Sequence, residues 1–149
     1  MLEGAAAISV RPADPDDSVV VRELLGQLGY AFTVEEARAR LDLFAKQPAD
    51  PVLLATEGDT GVGLIAMHWT FMLHHGKPVA RITALVVRDG ARGKGIGRIL
   101  VDAGAALARQ AGCDLLELTT ALHRADAQAF YKALGFTASS LRLDRRLEW

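Results

Sequence analysis

Among 149 residues the chain has a single cysteine, Cys113. An intramolecular disulfide is therefore excluded, and so is a zinc site built from four cysteines. Excess charge is missing too. Seventeen basic residues face eighteen acidic ones, a net charge of −1, which gives no overall pull toward nucleic acid or an anionic membrane. Any anion site must therefore be local. No apolar run approaches the roughly 20 residues that span a bilayer. The opening MLEGAAAISV lacks the basic start and long apolar stretch of a signal peptide. Repeats, linkers and low-complexity segments are absent. The expectation is a soluble, cytoplasmic protein with no membrane or nucleic-acid partner. One domain over residues 1–149 is long enough to bury a core.

What is present alternates between helix and strand patterns. A short first strand over Ala7–Val10 is ended by RPADPDD, where Asp14 can cap a helix with Pro15 in its first turn. That helix shows Val20, Leu24, Leu25 and Leu28 on one face and stops at Gly29. Thr33 and Glu36 form a capping box for a second helix with Val34, Ala37, Leu41 and Phe44 as its stripe. VLLAT and VGLIAMHWTF, separated by EGDTG, read as a hairpin. VARITALVV (79–87) is β-branched and apolar on both faces, as an inner strand is. A helix with Ile96, Ile99, Leu100, Ala103 and Leu107 follows and ends at Gly112. DLLELTT is a further strand, ADAQAFYKAL a short helix closed by Gly135, and two weaker strands complete the chain. The order is β-α-α-β-β-β-α-β-α-β-β, which predicts a mixed α/β (α+β) domain.

Between the inner strand and the third helix lies RDGARGKGIGRIL (88–100), with four glycines and four basic residues in thirteen positions. A strand, a glycine-rich turn and a helix start make an anion site. Glycine lets the backbone come close, and the first helical N–H groups have no intrahelical partner. Arg92, Lys94 and Arg98 add charge around those donors. The nucleotide loop G-x-x-x-x-G-K-[ST] does not fit, because Gly95 follows Lys94. The dinucleotide fingerprint fails as well, since its third glycine would fall on Arg98 or Leu100.

The six residues Arg92-Gly93-Lys94-Gly95-Ile96-Gly97 match the R/Q-x-x-G-x-G/A motif of the GNAT family of N-acetyltransferases. AFYKALGF (129–136) is similar to the family's second signature, a tyrosine on a short helix before a Gly-Phe pair. The element order resembles that family's over nearly the whole chain, with its mixed, mainly antiparallel sheet flanked by helices. The resemblance implies that acetyl-CoA is bound as cosubstrate, with no metal. Its pyrophosphate would lie on the backbone of Arg92, Gly93, Lys94, Gly95, Ile96, Gly97 and Arg98. Its pantetheine arm would pair with Leu85, Val86 and Val87 like an added strand, and the strands would part after Val87. Dimerisation is common among similar proteins, so a homodimer is admitted, although no interface is defined.

An amine attacking a thioester must first lose a proton, and the departing thiolate must gain one. Tyr131 resembles the family tyrosine near the coenzyme sulfur; its alternative is a core aromatic, a role Phe130 fills more naturally. Many relatives carry a glutamate base on the strand before the loop, but Thr83 stands there. His68, Glu117, His123 or a water are the substitutes. Arg124 takes the place of a frequent asparagine and either contacts coenzyme phosphates or is solvated. His74 and His75 fit a turn without carboxylate partners better than a metal site, and Cys113 fits a small buried residue. The chain is thus expected to transfer acetyl from acetyl-CoA to a primary amine, on a small molecule or a protein, by direct attack. The alternative is an acyl-CoA binding module without turnover. A nucleic-acid binder is disfavoured by the near-zero net charge.

Overall fold

The computed structural model describes residues 7–148. Strand β1 (Ile8–Pro12) runs two residues beyond the expected Val10, then Asp14 caps a 3₁₀ turn over Pro15–Asp17. Asp17 binds this corner together. Its carboxylate accepts from both terminal nitrogens of Arg11 at 2.8 Å and from the Asp14 N–H at 2.9 Å. Helix α1 (Ser18–Gly26) follows directly and ends before Gly29, which carries φ +95° in the turn beyond. Its buried residues are Ser18, Val21 and Leu24, so the expected face is corrected: Val21 points inward and Leu28 is exposed. Helix α2 (Val34–Ala45) has the expected capping box, with Thr33 Oγ1 accepting from the Glu36 N–H at 3.0 Å. Ala37 and Leu41 are buried, whereas Phe44 is exposed.

Strands β2 (Val52–Glu57) and β3 (Thr60–Thr70) form the hairpin through Gly58 and Asp59. Strand β4 (Val79–Val87) coincides with VARITALVV, α3 covers Ile96–Gln110, β5 covers Leu115–Glu117 and α4 covers Ala125–Ala133. The sheet order is β1-β2-β3-β4-β5, antiparallel except where β5 joins β4 in parallel. The two expected C-terminal strands are absent among the described residues, where 137–148 pair with no strand. DLLELTT is likewise reduced to three residues.

Helices cover both faces. On one, α3 packs against β3: a Cβ at Gly63 would lie 2.9 Å from Leu100, and one at Gly104 would lie 2.5 Å from Met67 Sδ. This close approach turns the helix from its expected stripe. Ile96 and Leu100 are buried as expected, but Val101, Gly104 and Ala108 replace Ile99, Ala103 and Leu107 on the innermost line. Small residues let the helix axis come near the strands; the larger ones pack at its flanks. On the other face Val21, Leu24 and Leu41 meet Leu54, Leu64 and Val86.

Candidate active site

The loop between β4 and α3 is shaped by three left-handed glycines, Gly90 (φ +86°), Gly93 (φ +85°) and Gly95 (φ +77°). Side chains rarely adopt that conformation, so glycine is required by backbone geometry. Gly95 is also the N-cap of α3, and no side chain caps the helix there. The earliest backbone bond of this helix start runs from the Ile99 N–H to Gly95 O at 3.0 Å. The N–H groups of Ile96, Gly97 and Arg98 are the orphan donors of the first turn. A Cβ on Gly93 or Gly95 would meet nothing within 4 Å, so the space in front of them is open. Gly97 is glycine for a different reason: its Cβ would lie 3.0 Å from Phe130 Cζ. That contact seats α4 against the start of α3 and joins the two sequence signatures.

The basic residues divide. Arg88 is structural, donating to Gly61 O at 2.7 Å and pairing with Glu23 at 3.2 Å. Arg92 pairs with Asp89 largely in water, and half-exposed Lys94 pairs with the mostly buried Glu57 side chain, both at 3.3 Å. Arg98 is exposed on the first turn of α3.

The second feature is an open strand edge. β4 and β5 pair only over Val79–Arg81 with Leu115–Glu117, so the strands part after Arg81, six residues earlier than expected. Thr83 lies at the parting: β3 pairs Ala66 with Ala84 and Met67 with Ile82, leaving Thr83 as the extra residue of a bulge. A bulge bends its strand and sharpens the local twist, which turns β4 away from β5. Beyond it the Arg88 N–H bonds to Val62 O on β3. By the alternation of an antiparallel ladder, Leu85 and Val87 therefore direct their N–H and C=O groups to the free edge, and Val86 toward β3. Val87 O already has a partner, the Gln27 side-chain amide at 3.1 Å, whose oxygen accepts from the Asp89 N–H at 3.0 Å. Gln27 thus holds the start of the loop to the end of α1.

A row of polar side chains crosses the sheet where the strands separate. His68, Arg81 and Glu117 occupy paired positions on β3, β4 and β5, which places them on one face. His68 Nδ1 lies 2.7 Å from Asp50 Oδ1, and Arg81 Nε lies 3.5 Å from Glu117. Glu117 is half-buried and is the last residue of β5, where its pairing with β4 ends. His123 is exposed in the segment before α4, at a distance in sequence from this row.

Tyr131 is half-buried, edge-on to Phe130 at 5.2 Å and to Phe136 at 5.6 Å. Burial pushes its phenol pKa above the ordinary 10.0, against a weaker downward pull from Arg124. The hydroxyl therefore stays protonated at neutral pH, as a proton donor must. Arg124 is the N-cap residue of α4 and lies 3.6 Å from Asp126. The expectation that His75 lacks a carboxylate partner is corrected, because its Nε2 lies 2.7 Å from Asp114 Oδ1. Cys113 is half-buried instead of buried, and burial raises its thiol pKa. Among the described residues no three metal-ligating side chains come together. No described helix is long and apolar enough to cross a membrane.

Sequence reasoning missed Gln27, Asp50 and Arg81. Arg81 had a signal, a charge inside an otherwise apolar inner strand. Gln27 and Asp50 had none, since both act across more than fifteen residues of chain.

Comparison with known proteins agrees with this geometry. A model of the acetyltransferase (GNAT) family matches residues 19–136. An aminoalkylphosphonate N-acetyltransferase of Salmonella typhimurium is 36% identical over 127 residues, covering 79% of this chain and 82% of that protein. A mycothiol acetyltransferase of Propionibacterium freudenreichii is 32% identical over 111 residues, 74% of this chain but only 35% of that longer protein. An aminoglycoside N-acetyltransferase solved in complex with CoA superposes with a TM-score of 0.88 over 100% of both chains. At 16% identity that likeness is one of fold.

Proposed function

As a member of the GNAT acetyltransferase family, the chain is an acetyl-CoA-dependent N-acetyltransferase, and we propose that it acetylates a primary amine by direct attack, as one domain, at the split beside Thr83. One observation carries the reading: an unpaired strand edge runs straight into an uncapped helix start, with only the glycine loop between them. The free N–H and C=O of Leu85 and the N–H of Val87 suit the amide-bearing pantetheine arm, which would add to β4 as a strand does. The N–H groups of Ile96, Gly97 and Arg98, with the loop backbone from Arg92 to Gly95, suit the pyrophosphate. Arg92, Lys94 and Arg98 add screened charge.

The amine nitrogen attacks the thioester carbon, the carbon–sulfur bond breaks, and the thiolate takes the Tyr131 hydroxyl proton. Solvent then reprotonates the phenolate. The amine's own proton leaves to Glu117, directly or through water, because Glu117 is the carboxylate at the end of β5, where β4 and β5 stop pairing, and Thr83 cannot act as a base. Arg81 borders the same opening with guanidinium N–H donors, which suits an amine that also carries an anionic group. The relative named for aminoalkylphosphonates makes that class the first to test.

Coenzyme release should be followed with an aminoalkylphosphonate, a polyamine and a peptide amine. Turnover of the first is the expected result. Coenzyme binding without turnover of any amine would instead establish a binding module, in which the missing β4 carboxylate is a real loss. For the base, Glu117→Gln should remove the acidic limb of the kcat/KM profile; an unchanged limb would transfer the role to water or His68.

A further inference from the structure

Helix α1 ends at Gln27, whose side-chain amide bonds two backbone groups at the far end of β4. Its nitrogen donates to Val87 O at 3.1 Å, and its oxygen accepts from the Asp89 N–H at 3.0 Å. These are the two bonds that a neighbouring strand would make around Arg88. Arg88 itself faces the other way. Its N–H bonds to Val62 O and its Nε to Gly61 O, both on β3. Its Nη2 meets Glu23, one turn before Gln27 on α1. Gln27 therefore takes the last two groups that face the free edge and closes the edge there. The base of the amide is fixed as well: the Gln27 N–H bonds to Leu24 O at 3.1 Å, and the Leu24 side chain is fully buried.

On one side of this closing rung lie the N–H and C=O of Leu85 and the N–H of Val87, the groups suited to the pantetheine arm. On the other side the Ala91 N–H bonds to Arg88 O at 3.0 Å, closing a turn with left-handed Gly90 at its third position. That turn sends the chain toward the uncapped start of α3. Asp89 is its second residue, so the bond to Gln27 sets the direction in which the loop leaves the strand. A coenzyme is a two-ended ligand with a short connection. It gains from both ends only when the two sites stand at the span of that connection. Building on the coenzyme site read above, we propose that Gln27 is a positioning residue for it. The amide holds the strand edge and the phosphate loop at the separation that one coenzyme molecule bridges. It acts through Val87 and Asp89 and needs no contact with the coenzyme.

Calorimetry with two probes tests this role. Coenzyme A engages both sites, whereas 3′-phosphoadenosine 5′-diphosphate, its nucleotide half, engages the loop alone. Gln27→Ala removes the amide, and Gln27→Asn keeps an amide that is one carbon too short to reach both groups. In each variant coenzyme A should bind at least about tenfold more weakly, while affinity for the nucleotide half should change by less than about twofold. The KM for acetyl-CoA should rise and that for the amine should not. Gln27 is half-buried and lies outside both cores, so the variants should fold, which circular dichroism checks. A residue that served only the fold would lower the melting temperature and leave both affinities at their wild-type values, which would overturn the proposal. An equal loss for the two probes would also overturn it, because Gln27 would then shape the loop alone. A wild-type chain that bound neither probe would overturn the coenzyme reading and this role with it. Normal wild-type binding with unaltered variants would overturn the role of Gln27 only.

Discussion

Gly95 and Gly97 stand two residues apart in one motif and are glycine for unrelated reasons. Gly95 has open space in front of it but a left-handed backbone, φ +77°. Gly95→Val would strain the cap and cover the donors, so coenzyme affinity should fall at least tenfold by calorimetry, at a conformational cost of about 1–2 kcal/mol. Lys94→Ala should weaken binding only modestly, because Lys94 is exposed and already shared with Glu57. Gly97→Ala meets the Phe130 ring at 3.0 Å. It should displace α4, lowering the rate more than the affinity. Tyr131→Phe keeps the ring contacts and removes only the hydroxyl. Single-turnover acetylation should slow by about 10²-fold with coenzyme affinity nearly unchanged. A wild-type single-turnover rate in that variant would remove Tyr131 from the mechanism. Its raised pKa fixes the sign of the pH dependence: the acid is present at neutral pH and is lost only above 10.0.

Among the elements, the β1–α1 corner is held by charge more than by burial. The Arg11 guanidinium, hydrogen-bonded to Asp17, lowers the carboxylate's pKa below the ordinary 3.8. A carboxylate whose pKa is depressed by folding contributes stability that is fully present above its unfolded value. That contribution is lost as the pH falls through the folded one. Asp17→Asn should therefore lower the melting temperature at pH 7 and change it little near pH 2. The loss of the ion pair itself should stay within about 1 kcal/mol, since the Arg11 side chain is half in water. Equal destabilisation at both pH values would mean that Asp17 acts only as a cap, through the Asp14 N–H.

At the scale of the molecule, the open β4 edge and the uncapped α3 start leave polar backbone groups for water or a ligand to satisfy. The sheet divides two cores, and these two features sit at the side where β4 and β5 separate. Acetyl-CoA bound there spans loop, strand and helix at once and stabilises the folded state only. At about 100 times its dissociation constant it should add roughly 2.7 kcal/mol, raising the melting temperature by several degrees. A thermal scan without a shift at saturating acetyl-CoA would remove the loop from the binding site.

Local chemistry was legible without coordinates. The Thr33–Glu36 box, the Gly58–Asp59 hairpin, the limits of β4 and the left-handed stops at Gly112 and Gly135 depend on residues within a few positions of one another. The loop belongs to the same class, because its glycines and the helix after it are contiguous. Features joining distant segments were not legible. Periodicity located α3, but the small residues facing β3 set its rotation, through contacts such as Gly104 with Met67. The strands part after Arg81, not after Val87, beside the bulge in which Thr83 is the one extra residue opposite β3. Gln27 on Val87 O and the row of His68, Arg81 and Glu117 exist only once the sheet has assembled. The two expected C-terminal strands show the opposite case: a strand needs a partner, and among the described residues this segment pairs with none. Sequence therefore determined which elements form and where the anion loop lies, since those are short-range matters of capping, turn and period. Tertiary structure alone decided which edge stays open and which polar groups line it, because hydrogen-bond pairing and close packing between distant segments appear in no local pattern.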